Sequence, residues 1–160
     1  MAKEVVNKKM LIRGREVTFT FLSTKDAVVI VPRTKAGKIV LVRQIRPAVD
    51  EELLELPAGG IEKGEDPLQA AHRELAEETG YAAREIKLIS SFYPSPGITT
   101  ERMYMYLAEV GEQSGQQLDD GEDIAVEEYS PEEAWDLVKR GEIRDGKTIV
   151  GLSLLRSSRD

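Results

Sequence analysis

The chain has 160 residues, of which 41% are hydrophobic and 32% charged, and its formal net charge is −7. This size predicts one domain with a full core, and the acidic balance argues against electrostatic binding of nucleic acid. The sequence contains no cysteine, which excludes disulfides, thiolate metal sites and cysteine nucleophiles. We expect a cytoplasmic protein without a membrane partner, since the first residues lack an apolar leader and no apolar run is long enough to span a bilayer.

The N-terminal part of the chain predicts antiparallel strands. Residues 10–12 and 16–22 flank Arg13-Gly14-Arg15, which is typical of a hairpin turn. Residues 27–31 and 38–45 are rich in β-branched side chains and flank a second turn at 35–37. The first part of the chain is therefore predicted to form two pairs of antiparallel strands.

Strands and helices are interspersed in the rest of the chain. Residues 53–56 are a short apolar run that leads into a glycine-containing turn at 57–60. Further strands are predicted at residues 85–92, 102–110 and 124–129, with an acidic loop at 111–123. Helices are predicted at residues 67–79, 131–140 and 147–156. This order favours an α/β fold in which a mixed sheet lies between helices.

The first helix has clear sequence signals at both ends. Asp66 suits the N-cap, Pro67 the first helical position, Gln69 the partner in a capping box, and Gly80 the C-terminal stop. An apolar stripe at helical spacing is expected to face the core: Leu68, Ala71, His72, Leu75 and Thr79. We therefore interpret His72, the single histidine, as a packing residue and not a catalytic one.

Three carboxylates lie together at the C-terminal end of this helix. Glu74, Glu77 and Glu78 fall within an arc of roughly 100°, where they repel one another and oppose the helix dipole. For an E-x-x-E-E pattern alone, a solvated acidic face is the commoner explanation. A hard divalent cation, Mg²⁺ or Mn²⁺, would also resolve the conflict, with Arg73 placed to orient the acids.

The surrounding stretch, residues 59–81, reads GGIEKGEDPLQAAHRELAEETGY. The pattern G-x5-E-x7-R-E-L-x-E-E-x-G-Y resembles the Nudix box of hydrolases that cut nucleoside diphosphates linked to another moiety, although Tyr81 occupies a usually aliphatic slot. The resemblance implies a Nudix-type α/β/α sandwich with an N-terminal antiparallel hairpin at 1–24, exchangeable in a homodimer, and a hydrolase domain at 25–160. It also implies a metal site whose ligands are Glu74, Glu77, Glu78 and the carbonyl oxygen of Ala58.

Three further segments point to one subfamily. Pro96 follows Gly80 by sixteen residues, and the chain also carries R-Q-x-R-P at 43–47 and L-E-L-P-A-G at 54–59. Together they are similar to ADP-ribose pyrophosphatases, which implies hydrolysis of ADP-ribose to AMP and ribose 5-phosphate. Two alternatives stay open, namely hydrolysis of another nucleoside diphosphate sugar such as GDP-mannose, and a non-catalytic nucleotide-sensing domain.

In relatives the catalytic base comes from an acidic loop. Here Glu122 matches that position best, with Asp120 as the second choice. A loop suits a base that must approach only when substrate is bound. Glu77 is the alternative, as a base or as a ligand of a further metal.

The resemblance also implies substrate-binding residues. Arg46 matches the arginine that contacts the diphosphate, and Arg43 either assists it or lies on the surface. Glu101 matches an acid that contacts substrate across a dimer interface, and Gly97 accompanies the marker proline. Phe19, on the hairpin, stacks on adenine or packs in the core.

Overall fold

The computed structural model describes residues 3–118 and 123–157, which form nine strands and three helices. The strands are β1 Glu4–Ile12, β2 Arg15–Ser23, β3 Ala27–Arg33, β4 Ile39–Arg46, β5 Glu51–Glu55, β6 Ala58–Gly60, β7 Tyr81–Phe92, β8 Met103–Gln113 and β9 Ile124–Tyr129. The helices are α1 Pro67–Thr79, α2 Pro131–Lys139 and α3 Gly146–Ser157. None of the helices in these two stretches combines the length and apolar character needed to cross a bilayer.

The strands β1 and β2 form a separate two-stranded antiparallel sheet. Their turn places Arg13 and Gly14 at φ 48° and 78°, which suits the tight primed turns of hairpins. The hairpin bonds to the rest of the chain through Leu22, whose N–H donates to the Ile98 carbonyl at 2.8 Å and whose carbonyl accepts from Thr100 at 3.0 Å. The predicted hairpin is confirmed, but β1 begins at Glu4 and is longer than expected.

The central sheet is mixed, as predicted. Its strands run in the order β5-β4-β3-β8-β7, where β3 pairs parallel with β8 and the other pairs are antiparallel. The strands β3 and β4 pair only at Arg33 and Ile39. Beyond that point they diverge, β6 pairs with β3, and β9 pairs with β4. Because of this divergence, β3 and β4 are not paired with each other at the level of β6.

Alternate residues of the sheet enter two separate cores. Val28 and Ile30 pack with Leu75 of α1, whereas Val29 and Val31 pack with residues of α2 and α3 such as Leu137 and Leu152. Helices therefore cover both faces, and the expected α/β/α sandwich is confirmed.

Helix α1 has the predicted ends, and its buried face includes Ala71, Leu75 and Thr79 of the predicted stripe but not the other two residues. Asp66 accepts from the N–H groups of Leu68 and Gln69 at 2.9 and 3.0 Å, and Gly80 ends the helix at φ 71°. The prediction that His72 packs in the core is wrong, because His72 and Leu68 are exposed. The buried residues are Ala70, Ala71, Leu75, Glu78 and Thr79. The helix is thus rotated so that one of its carboxylates faces inward.

Candidate active site

Arg73 is bonded to three of the acids around it. Its guanidinium donates to Glu65 at 2.9 and 3.0 Å, to Glu74 at 2.7 Å and to Glu77 at 3.0 Å. A further N–H donates to the Gly60 carbonyl at 3.1 Å. These contacts, led by the hydrogen bonds to Glu65, raise the pKa of Arg73. The arginine offsets part of the repulsion among the acids and ties α1 to β6.

Glu78 joins the helix to β6 from the buried side. Its side chain is 5% exposed, and its Oε2 accepts from the N–H of Ala58 at 3.0 Å. At the two ends of the pairing between β3 and β6, the N–H of Ile30 donates to the carbonyl of Pro57 and the N–H of Ile61 donates to the carbonyl of Asp26. Bonded and non-bonded positions alternate along an antiparallel ladder, so Ala58, opposite Val29, lies at a non-bonded position. The main-chain groups of Ala58 therefore point away from β3, as a role for its carbonyl as a metal ligand requires.

Gly59 makes room for a carboxylate of α1. A Cβ atom at this position would lie 1.9 Å from the carboxyl carbon of Glu74 and 2.0 and 2.1 Å from its two oxygens. Only glycine allows the strand and the carboxylate to approach so closely. The glycine pair of the Nudix-like pattern thus positions an acid next to the main chain.

The oxygen atoms around β6 are suitable ligands for a hard divalent cation. Three carboxylates and a main-chain carbonyl offer only oxygen atoms, the ligands that Mg²⁺ and Mn²⁺ prefer. In the described residues no three acidic or imidazole side chains converge as a ready-made site. Glu74 and Glu77 contact Arg73, and Glu78 contacts Ala58.

A cavity of about 250 Å³ opens on the other side of β6. Its lining includes four cations and one acid: Lys3, Lys25, Arg46, Lys147 and Glu101. Ala58 and Gly59 also line it, so the structure brings together Arg46, Glu101 and Ala58 from the sequence prediction. Burial raises the pKa of Glu101, with Lys3 and Lys147 acting in the opposite direction. The excess of positive charge suits an anionic ligand next to the acidic helix.

Arg46 reaches this cavity while bound to a buried carboxylate. Its Nε and Nη2 donate to the two oxygens of Glu55 at 2.8 and 2.7 Å, and Lys147 Nζ donates to Glu55 at 2.5 Å and to Asp145 at 3.1 Å. Burial raises the pKa of Glu55, but the hydrogen bond from Arg46 and the charge of Lys147 outweigh it and hold the pKa below the ordinary value.

Sequence analysis missed both Glu55 and Lys147. A signal existed for Glu55, because a charge inside the apolar run 53–56 must find a partner when the strand is buried. No comparable signal marked Lys147, which lies 92 positions away.

The structure does not bring Arg43 to this cavity. It lies three positions before Arg46, so its side chain leaves the opposite face of β4. There it donates to Glu127 at 2.5 and 3.2 Å, and the hydroxyl of Tyr129 donates to the same carboxylate.

Phe19 and Gly97 line a different cavity, of about 640 Å³. It lies between the hairpin and the loop after β7, and its other apolar lining residues are Met10, Phe21, Tyr93 and Pro96. The two cavities have no lining residue in common. The structure therefore groups Phe19 with Gly97, apart from Arg46.

Glu122 and Asp120 lie outside the described residues. The segment that precedes them is fixed to the end of α1: Gln117 N–H donates to the Glu77 carbonyl at 2.9 Å, and the Gln116 amide donates to the carbonyls of Glu78 and Ile124 at 2.6 and 2.9 Å. These bonds satisfy carbonyl groups that a helix end leaves without partners.

Tyr81, the unusual residue of the pattern, is explained by its partner. Its ring is buried, and its hydroxyl donates to Glu128 at 2.6 Å. Burial, together with this bond, raises the pKa of Tyr81 to about 12. An aliphatic side chain would leave Glu128 without that donor.

Comparison with known proteins matches residues 23–150 to the NUDIX domain. The chain is 41% identical over 133 residues to the ADP-ribose pyrophosphatase of Bacillus subtilis (strain 168), an alignment that covers 81% of this chain and 71% of that protein. It is 36% identical over 132 residues to the methanol dehydrogenase activator of Bacillus methanolicus, with coverage of 81% and 71%. It is 35% identical over 141 residues to the GDP-mannose pyrophosphatase of Escherichia coli (strain K12), with coverage of 82% and 73%.

A solved structure described as an ADP compounds hydrolase has the same fold. It superposes with a TM-score of 0.85 at 22% identity and covers 97% of this chain and 85% of its own. The domain match and the pyrophosphatase relatives agree with the acidic helix, the glycine strand and the adjacent cationic cavity. The chain therefore belongs to the Nudix hydrolase family.

Proposed function

We propose that the protein hydrolyses the pyrophosphate bond of ADP-ribose to give AMP and ribose 5-phosphate. The observation that carries this proposal is the cationic cavity that meets the acidic end of α1 across Gly59. A diphosphate bridging the two would find basic side chains on one side and carboxylates on the other. The 41% identical pyrophosphatase relative supports the choice of substrate.

In this proposal Glu74, Glu77, Glu78 and the Ala58 carbonyl hold Mg²⁺, or Mn²⁺ in its place. When bound, such a cation neutralises phosphate oxygens and makes a water molecule more acidic. Arg46 would bind the diphosphate from the cavity and balance the charge that develops on the leaving group.

Glu122 would accept the proton of the attacking water, with Asp120 or Glu77 as alternatives. The bonds from Gln116 and Gln117 to α1 support this role, since they fix the start of the acidic segment beside the carboxylates of the helix. Comparing Glu122→Gln with Asp120→Asn and Glu77→Gln identifies the base, because only its loss should remove the acidic limb of the pH–rate profile, along which activity rises as the base loses its proton.

The substrate is tested with a panel of nucleoside diphosphate sugars assayed with Mg²⁺, with Mn²⁺ and with excess chelator. We expect AMP release from ADP-ribose with either metal and none with chelator. Reaction in ¹⁸O-labelled water would show which product gains the oxygen. GMP release from GDP-mannose at higher kcat/KM would favour the second candidate, which the E. coli relative supports. Binding without turnover would indicate a sensing domain and contradict the proposal.

Glu78→Gln tests the role of the helix directly. We expect it to lower kcat by at least about 1,000-fold, since a neutral amide at a metal ligand removes charge from the site. Glu85→Gln, an exposed acid of β7, is the matched control. Near-normal turnover in Glu78→Gln would contradict the metal assignment.

We also propose a cytoplasmic homodimer in which the hairpin contacts a second copy. The hairpin exposes apolar side chains, including Val5 at 62% and Leu11 at 74%, and an isolated two-stranded sheet is only marginally stable. A partner covering this surface could bring its own groups to Phe19 and Glu101. Deletion of residues 1–24 should yield a monomer by light scattering, and a dimeric deletion variant would contradict this arrangement.

A further inference from the structure

One buried carboxylate connects two of the four cations that line the 250 Å³ cavity. Glu55 of β5 is 1% exposed and accepts from Arg46 of β4 and from Lys147 of α3. We propose that Glu55 is a positioning residue, which orients Arg46 and Lys147 so that their remaining N–H groups face the diphosphate. This inference rests on the proposed function.

The bonding pattern leaves donors for a ligand. Arginine carries more N–H groups than one carboxylate can accept, and Glu55 takes those of Nε and Nη2 on one edge of the guanidinium. The edge with Nη1 is therefore turned away from Glu55. Lys147 likewise has three N–H groups. Glu55 and Asp145 accept from its ammonium, and the side chain also lines the cavity.

Glu55 is itself held in a rigid frame. The carboxylate of Asp145 accepts from the Thr148 N–H at 3.0 Å and from its hydroxyl at 2.5 Å. That hydroxyl in turn accepts from the N–H of Leu56 at 2.8 Å. The start of α3 is thus bonded to the main chain of the residue next to Glu55, which fixes the backbone from which the carboxylate extends. Groups fixed before the substrate arrives need no reorganisation when charge develops.

The sign of the expected effect separates positioning from simple electrostatics. Glu55 is negative and lies beside a cavity proposed for an anion. By Coulomb's law alone, its removal should strengthen the binding of a diphosphate. If Glu55 orients Arg46 and Lys147, its removal should weaken binding instead.

The experiment compares Glu55→Gln and Glu55→Asp with the wild-type protein. Binding of α,β-methylene-ADP, a diphosphate whose bridging bond is not hydrolysed, is measured by calorimetry with Mg²⁺, and kcat and KM are measured with ADP-ribose. We expect both variants to bind the analogue about 10- to 100-fold more weakly and to lose kcat/KM to a similar extent, as misplaced charged hydrogen bonds do. The aspartate variant keeps the charge and folds more readily, yet withdraws the carboxylate from both cations.

Glu127→Gln is the matched control. It removes the carboxylate of the other arginine pair on β4, outside the cavity, and should change analogue binding by less than about 2-fold. Unchanged or tighter binding by Glu55→Asp would overturn the inference, as would a loss of thermal stability with normal kcat/KM below the melting temperature.

Failure of the proposed function gives a different result. A wild-type protein that binds the analogue but does not cleave ADP-ribose would refute the proposed function, while the binding comparison would still decide the role of Glu55. A wild-type protein that binds no diphosphate would overturn both.

Discussion

Two arginine–glutamate pairs lie on opposite faces of β4 and have different surroundings. Arg46 and Glu55 meet beside the cationic cavity, where the glutamate is 1% exposed and shared with Lys147. Arg43 and Glu127 meet outside it, where both side chains are about one third exposed and Tyr129 supplies the additional donor. The pairing chemistry is the same in both, so it cannot by itself indicate a ligand-binding role. Burial and a neighbouring cavity make that distinction.

The largest difference between the pairs should appear in stability. Glu55→Gln leaves two cations beside a buried amide and should lower the free energy of unfolding by about 3 kcal/mol, the lower part of the range for buried pairs because Arg46 is partly exposed. Glu127→Gln should cost about 1 kcal/mol or less, since water can replace its contacts. Urea denaturation at neutral pH measures both, and equal losses would remove the distinction.

A second difference should appear in catalysis. Arg46→Lys cannot keep the two-pronged bond to Glu55 and also present donors to the cavity, so kcat/KM should fall by about 100-fold. Arg43→Lys should lose less than about 3-fold, because this side chain does not line the cavity. Steady-state kinetics with the substrate from the panel provides the comparison. A comparable loss of kcat/KM in both variants would indicate that Arg43 also takes part in substrate binding.

The stability difference should also depend on pH. The pKa of Glu55 in the folded protein lies below its ordinary value of 4.5, so the stabilisation that it provides is complete above 4.5 and is lost as pH falls through the folded-state pKa. The gap between the wild-type protein and Glu55→Gln should therefore narrow on acidification. Denaturation curves at neutral pH and at several values below 4.5 would show this, whereas a gap that widens with acid would contradict the sign.

The smallest effect is expected at a third polar pair, Tyr81 and Glu128. Tyr81→Phe removes one hydrogen bond to a carboxylate that is about one third exposed and should cost about 1 kcal/mol. The ring keeps its packing, so the slope of the denaturation curve should not change. A loss of unfolding free energy as large as that of Glu55→Gln would show that solvent exposure does not determine how much each pair contributes to stability.

Local features were predictable from the sequence because their causes are local. The ends of α1 follow from Asp66, Pro67 and Gly80, and the hairpin turn from Arg13-Gly14, since each signal acts within a few residues. The face that α1 buries was predictable only in part. Ala71, Leu75 and Thr79 are buried as the helical spacing predicts, whereas Glu78 contacts Ala58 of another element and His72 is exposed.

The candidate site was predictable to a similar extent. The acids of α1 are adjacent in the sequence and follow a spacing that the helix converts into proximity. The pairing of Glu55 with Lys147 depends on how α3 meets β5, and no periodicity encodes that meeting. The sequence favoured Arg46 for the binding site and left the role of Arg43 open, and the alternation of side chains along β4 places Arg43 on the other face.

The side-chain amide of Gln116 joins the carbonyl of Glu78, in α1, to that of Ile124, at the start of β9. This bridge ties the last turn of the acidic helix to the first residue of a strand of the central sheet through one side chain. A fluctuation that separates these two elements must therefore break both hydrogen bonds of the same amide.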